Sequence, residues 1–237
     1  MHLLLTNDDG LTAPGLQALE QAVSSLPGCR ISIVAPETEQ SMCGHCVTTR
    51  KPIAVKQTGA QRWAVNGPSA DCVRIALFAL DLKPDWVLSG VNAGGNMGQD
   101  VVISGTLAAA REAAYHGIKA IAFSHYLIKD MPVDWRRVSA WTRQVFELLR
   151  QEPPGDAELW NVNFPHHPPG DLPIPSMQHC DLARSPLNVS FEGLKPDDDT
   201  ATTRYHYTAS YAERPRDAGS DVEVCFGGAI ALSKLRL

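Results

Sequence analysis

The sequence predicts an α/β fold: a Rossmann-like, doubly wound and mainly parallel sheet followed by a C-terminal irregular β extension. Three observations point to it. Short, unbroken apolar runs recur along the first two thirds of the chain, as expected of strands buried on both faces. Amphipathic segments long enough for crossovers separate those runs. After Pro165 the alternation stops, and proline, aspartate and strand-like stretches take over.

Residues 2–6 form the first expected strand, and TAPGLQALEQAVSSLPG reads as a helix with Pro14 in its first turn. Leu16, Leu19, Val23 and Leu26 share one helical face, and Gly28 stands past its end. ISIVAP (31–36) is the next strand, PSADCVRIALFALD (68–81) a helix and DWVLS (85–89) a strand. GTLAAAREAAYHG (105–117) is a helix and IKAIAFS (118–124) a strand. A helix over about 134–151 presents Val138, Trp141, Val145 and Leu148 on one face until PPG ends it, and LWNVNFP (159–165) closes the series. Residues 1–165 are thus expected to be a Rossmann-like core. Residues 166–237, with HHPPGDLPIP, KPDDDT, TTRYHYTASY and DVEVCFGGAIALS, are expected to form a β extension of the same domain.

The 237 residues are 44% hydrophobic and 20% charged, with net charge -5. That composition suits a globular protein with a sizeable core and gives no general attraction for nucleic-acid polymers or anionic membranes. The apolar run Leu3–Leu5 is too short for a secretory signal, no stretch has membrane-spanning length, and six scattered cysteines do not make a disulfide scaffold. A cytoplasmic location with reduced thiols, Cys72 among them buried, is the expectation.

In an open α/β sheet ligands gather beyond the carboxyl ends of the strands. Three polar loops fall there: NDDG after the first strand, ETEQSMCGHC after the second, and GVNAGGNMGQDVVISGT after the strand at 85–89. Asp8 and Asp9 converge only if the strand has already ended in a turn, which Gly10 permits. Two adjacent carboxylates repel, and a divalent cation between them removes the repulsion; the alternative is one aspartate capping a helix and the other solvated. Ser104-Gly105-Thr106 opens a helix whose free N–H groups suit an anion. The glycine spacing matches neither a dinucleotide fingerprint nor a Walker loop, which argues against a dehydrogenase. Carboxylates, the Ser41 hydroxyl and amide oxygens favour Mg²⁺ or Mn²⁺, and a neighbouring anion site suggests hydrolysis of a phosphate ester.

NDDG, APG, VAP…QS, ADCV, PDWVLSGVNAGGNMGQD and SGT, in this order and spacing, closely resemble the SurE family of nucleotidases over the first 125 residues, with weaker counterparts at NVNFP and GSDVEVCFGGAIALSKL. The resemblance implies a divalent-metal-dependent phosphatase of nucleoside 5′- or 3′-monophosphates that assembles through its β extension as a homodimer or tetramer. It places metal ligands at Asp8, Asp9, Ser41 and Asn92, phosphate contacts at Asn96, Ser104, Gly105 and Thr106, and the chemistry on Asp8 and Asp9. A non-catalytic nucleotide-binding module is the alternative, and none of the four ligand positions is lost. The chain departs from the family at Met42, where glycine is usual, at Pro68-Ser69, and at Ile103, where an aromatic is common. It also ends soon after its last strand-like segment, which bears on the oligomer.

CGHC (43–46) has the form of a redox or zinc motif. VTTRKPIAV after it reads as a strand rather than the helix a thioredoxin-like thiol needs. No second CxxC or HxxxH completes a zinc site with Cys43, His45, Cys46 and a remote His179 or Cys180. Packing around Ser41 is the expected role. His166 and His167 are expected to face solvent, and Tyr205, Tyr207 and Tyr211 to be core or interface.

Overall fold

A computed structural model describes residues 1–194 and 202–237; KPDDDT (195–200) lies outside the described residues. The strands are β1 His2–Thr6, β2 Arg30–Pro36, β3 Val55–Gly59, β4 Arg62–Val65, β5 Trp86–Ala93, β6 Lys119–His125, β7 Glu158–Phe164, β8 Met177–His179, β9 Phe191–Gly193, β10 Tyr205–Tyr207 and β11 Ile230–Arg236. The helices are α1 Pro14–Ser24, α2 Ser69–Arg74, α3 Asp100–Ile103, α4 Gly105–Tyr115, α5 Trp135–Leu149 and α6 Asp221–Phe226.

Nine strands form one sheet in the order β3-β4-β2-β1-β5-β6-β7-β11-β8. From β4 to β7 every neighbouring pair is parallel, whereas β11 runs antiparallel to β7 and β3 antiparallel to β4. The chain leaves β1 toward β2 on one side and resumes at β5 on the other, so the topological switch point lies between β1 and β5.

Alternation along β1 divides the core. Leu3 and Leu5 join Leu16, Leu19 and Val23 of α1 and Val138, Trp141, Val145 and Phe146 of α5 on one face. Leu4 joins Cys72 and Val73 of α2 and Leu107, Ala110 and Ala113 of α4 on the other. Small alanines on α4 let that helix lie close to the sheet. The doubly wound reading holds, and β8 and β11 carry residues beyond 165 into the same sheet.

Several expectations are corrected. In α5 the buried positions are Phe146 and Leu149, while Leu148 is 45% exposed; the apolar stripe drifts by one position over the last turn. DVEVCF is helical because Ser220 caps it, its hydroxyl accepting from Glu223 N at 3.3 Å, and only the residues after it are strand. VTTRKPIAV forms no strand until Val55, and the hairpin β3–β4 that follows was not expected. His166 is buried, with Nδ1 accepting from Ile128 N at 2.8 Å, and His167 is half-buried with Nε2 3.0 Å from Gly228 O. Tyr205 and Tyr207 stand exposed on the separate β9–β10 hairpin rather than in the core. No helix among the described residues is long and apolar enough to cross a membrane.

Candidate active site

The switch point collects the three polar loops that the sequence singles out. β1 ends at Thr6, and Asn7 closes the turn by donating from Nδ2 to Gly10 O at 2.9 Å. Gly10 adopts φ +106, which glycine tolerates and other residues rarely do. The turn is fastened to the second loop, since Leu11 N donates to Pro36 O and Gln40 N to Asp8 O, each at 2.8 Å. Ser41 therefore follows directly on a residue bonded to the acid pair's own backbone.

Asp8 is 5% exposed. Its Oδ1 accepts from the Thr106 hydroxyl at 2.6 Å, which ties it to the first turn of α4. The other oxygen faces Gly105 so closely that a methyl there would stand 2.6 Å from it. Burial pushes the Asp8 carboxyl up to about 6; the Thr106 hydrogen bond opposes this, and the charges of Asp9 and Glu39 add to it. Asp9 is raised as well, by burial first and by Glu39, against a hydrogen bond that its Oδ2 accepts from Ala93 N at 3.3 Å. That bond brings Asp9 beside Asn92, whose Nδ2 donates to Gly94 O at 2.8 Å, so the amide oxygen is not the group held in that turn.

Opposite the acids, α4 begins. Ser104 caps it, its hydroxyl oxygen accepting from Leu107 N at 3.1 Å, while its own N–H donates to Asp100 O at 3.0 Å. Gly105 and Thr106 occupy the first positions of this 11-residue helix, where N–H groups have no partner within the helix. Of the predicted phosphate contacts, these two carry main-chain donors at the start of the helix, and the Ser104 hydroxyl keeps its own proton free to donate.

Asn96 is turned into the protein. Its N–H donates to Asn163 Oδ1 and its Nδ2 to Ser124 Oγ, both at 2.8 Å, while its carbonyl accepts from Asn161 Nδ2 at 2.9 Å and Asn163 Nδ2 at 3.0 Å. These bonds brace the glycine-rich loop through the Asn96 main chain and through one bond from its Nδ2.

Two further braces escaped the sequence reading. Arg214 is buried and donates from Nη1 to Asp100 Oδ2 at 2.6 Å and from Nη2 to Met97 O at 2.9 Å. Asp221 accepts from Gly98 N and Ala183 N, both at 2.8 Å. The C-terminal extension thus holds the loop that carries Asn92 and Asn96. The paired asparagines of NVNF, buried and two apart in an otherwise apolar strand, were a signal available in the sequence; Arg214, inside AERPRD, offered none.

The donor set suits a hard divalent cation. The buried Asp8 and half-buried Asp9 carboxylates, both with raised pKa values, lie together, and among the described residues no cationic side chain is bonded to either; Ser41 and Asn92 offer neutral oxygens. Among the described residues no group of three or more His, Cys, Asp or Glu side chains is placed to hold a metal, so a cation here would take two charged ligands and neutral ones. CGHC gathers no zinc-binding set among the described residues, and Cys43 and Cys46 are both exposed rather than packed around Ser41. A groove of about 580 Å³ between α4 and the end of β11, lined by Val101, Arg111, Tyr115 and Leu235, contains none of the predicted site residues.

The model of the family described as Survival protein SurE matches residues 3–187. A relative from Synechocystis sp. is 46% identical over 239 residues, with all of both chains covered. The 5′-nucleotidase SurE of Paramagnetospirillum magneticum is 37% identical, covering 99% of this chain and 89% of that one. The crystal structure of the SurE protein from Aquifex aeolicus superposes with a TM-score of 0.86 at 27% identity, covering 100% of this chain and 93% of that one. On the family match, the length-wide identity and the shared fold, this chain belongs to the SurE family.

Proposed function

We propose that the protein is a divalent-metal-dependent nucleotidase that hydrolyses nucleoside 5′- or 3′-monophosphates to nucleoside and inorganic phosphate. The observation that carries the reading is the bond from Thr106 to the buried Asp8, which joins the acid pair to the free N–H groups of a helix start. The names of the Paramagnetospirillum magneticum and Erythrobacter litoralis relatives, both 5′-nucleotidase SurE, support the reaction class.

Asp8, Asp9, Ser41 and Asn92 would hold Mg²⁺ or Mn²⁺. When bound, the cation offsets phosphoryl charge and makes water more acidic. The N–H groups of Gly105 and Thr106 and the Ser104 hydroxyl hold phosphoryl oxygens, aided by the positive end of the α4 dipole. Fixing the group there aligns the scissile P–O bond with an attacking water. As the new P–O bond forms, one carboxylate of the Asp8–Asp9 pair takes the water's proton, and the ester oxygen leaves and is protonated as the alcohol. Water is favoured over an aspartyl nucleophile because both carboxylates serve the cation; trapping phosphorylated Asp8 or Asp9 during turnover would reverse that choice.

The exposed Val189, Phe191 and Tyr205 on and beside the β9–β10 hairpin support assembly as a homodimer or tetramer. The test of function is release of inorganic phosphate from AMP and from an aryl phosphate, with and without EDTA, in the wild type and Asp9→Asn. EDTA-sensitive release that Asp9→Asn abolishes supports the reading. Nucleotide binding without release would favour a non-catalytic module.

A further inference from the structure

Of the six cysteines, Cys72 and Cys225 are buried, and Cys29 and Cys180 are half-buried. Only Cys43 and Cys46 are exposed, and they stand three residues apart in one loop. Positive φ values at Met42 (62°) and Gly44 (58°) fold the segment back on itself, so that Cys46 Sγ lies 2.6 Å from the carbonyl oxygen of Cys43. The two thiols are thus neighbours that a side-chain rotation and a modest backbone adjustment can join, a disulfide needing Cβ atoms about 3.8 Å apart.

The loop is anchored at Gln40, whose N–H donates to Asp8 O at 2.8 Å, at Thr48, whose N–H donates to Asp71 Oδ1 at 3.0 Å, and at His45 between them. His45 Nε2 is 2.8 Å from Glu112 Oε2, and the Glu112 carboxylate, buried on α4, also takes bonds from Arg74 Nε at 2.6 Å and His116 Nε2 at 3.1 Å. With His45 fixed, backbone adjustment on closing a ring from Cys43 to Cys46 falls on the other side of Cys43, at Met42 and Ser41. Met42 is the soft joint there, because a left-handed conformation costs a non-glycine residue about 1–2 kcal/mol and is readily given up.

We propose that Cys43 and Cys46 form a reversible disulfide that displaces Ser41 and so weakens cation binding at the active site. The coupling to the cation rests on the nucleotidase reading above; the disulfide itself does not. The oxidant is a low-molecular-weight disulfide such as glutathione disulfide. One loop thiolate attacks it, breaking its S–S bond and expelling a glutathione thiolate. The second loop thiolate then displaces the other glutathione, forming the Cys43–Cys46 bond. Two electrons pass to the oxidant, and the two protons of the loop thiols end on two glutathione molecules. An exposed four-residue ring belongs to the easily reduced class of disulfides, which makes the change reversible.

The experiment equilibrates the full chain with glutathione redox mixtures, maps disulfides by peptide mass, and measures Mn²⁺ binding by titration calorimetry on the same samples. The expected result is loss of two hydrogens from the peptide containing residues 43 and 46, a Mn²⁺ affinity about tenfold lower, and full recovery with dithiothreitol. Cys43→Ser and Cys46→Ser should bind Mn²⁺ like the reduced wild type and ignore the oxidant. Absence of this disulfide, pairing with Cys29 instead, or unchanged affinity in the oxidised form overturns the proposal. If reduced wild type binds no Mn²⁺, the nucleotidase reading and the coupling both fall, while the mass shift still establishes or removes the modification site.

Discussion

Replacing Gly105 with alanine tests whether the start of α4 and the acid pair work as one unit. The glycine does not occupy a left-handed conformation, so alanine brings no backbone strain, and helix propensity favours it by up to about 1 kcal/mol. The new methyl, however, would stand 2.6 Å from Asp8 Oδ2, 2.8 Å from its Cβ and 3.0 Å from its Cγ. Carbons rest about 3.5–4.0 Å apart, so the contact with Cβ demands a separation of roughly 0.7–1.2 Å between Asp8 and the helix. Rotating the carboxylate cannot relieve it, because Cβ itself is in the way. Misplacement on this scale costs about 100-fold in rate, or about 2.7 kcal/mol on the barrier. The assay is steady-state phosphate release from AMP at saturating Mn²⁺, with urea unfolding of the same preparations. We expect kcat/KM to fall about 100-fold while unfolding free energy moves by no more than about 2 kcal/mol, local crowding and helix propensity opposing each other. Undiminished turnover in a folded Gly105→Ala protein would refute the placement of Asp8 at the helix start.

Four further outcomes follow from the same geometry. Burial raises the folded-state Asp8 carboxyl from 3.8 to about 6, so the stability it contributes is present below its unfolded pKa and lost as pH rises through about 6. That shift of about two units is worth about 3 kcal/mol; in EDTA, Asp8→Asn should be more stable than the wild type by up to that amount at pH 7.5, a gain that vanishes near about pH 4 in urea titrations. Protons and the cation compete for this carboxylate, so Mn²⁺ affinity measured by calorimetry should be level well above about pH 6 and fall below it with a slope approaching about tenfold per unit; a flat profile would remove Asp8 from the ligand set. Thr106→Val removes the hydroxyl that favours the ionised Asp8, and a charge-assisted bond of about 1.5–3 kcal/mol predicts a roughly 10- to 100-fold loss of Mn²⁺ affinity at neutral pH. Arg214→Met leaves Asp100 buried without its cation, with an expected cost of about 3–5 kcal/mol in urea unfolding, and Asp100→Leu in the same chain should recover part of it.

Much of this architecture is legible in the sequence because it rests on local pattern. The apolar runs at 3–5, 31–36 and 118–124 and the helix signals at Pro14 and Ser104 depend on neighbours within a turn or two, and the structure places them as read. Legibility fails where long-range bonds decide. Leu148 fits a helical stripe, yet the sheet selects Phe146 and Leu149. DVEVCF has strand-like composition, but the Ser220 cap makes it helical. The histidines after Pro165 look like solvated loop residues because their partners, Ile128, Pro132 and Gly228, are remote in sequence. Within the candidate site, Asp8 and Thr106 stand 98 residues apart in sequence, and the doubly wound topology brings their two motifs together. Asn96 shows the limit: its type and place fit a phosphate contact, whereas its bonds run to Ser124 and Asn163.

The braces at Arg214 and Asp221 bear on how the protein matures in the cell. Every residue proposed to touch cation or phosphate leaves the ribosome by Thr106, roughly 100 residues before Arg214, an interval of about 5–20 s at ordinary rates of synthesis. Until that last quarter arrives, the glycine-rich loop lacks the guanidinium and carboxylate that hold it, and β11 has not yet docked beside β7. A nascent chain that has not yet reached Arg214 and Asp221 therefore carries the glycine-rich loop without these braces.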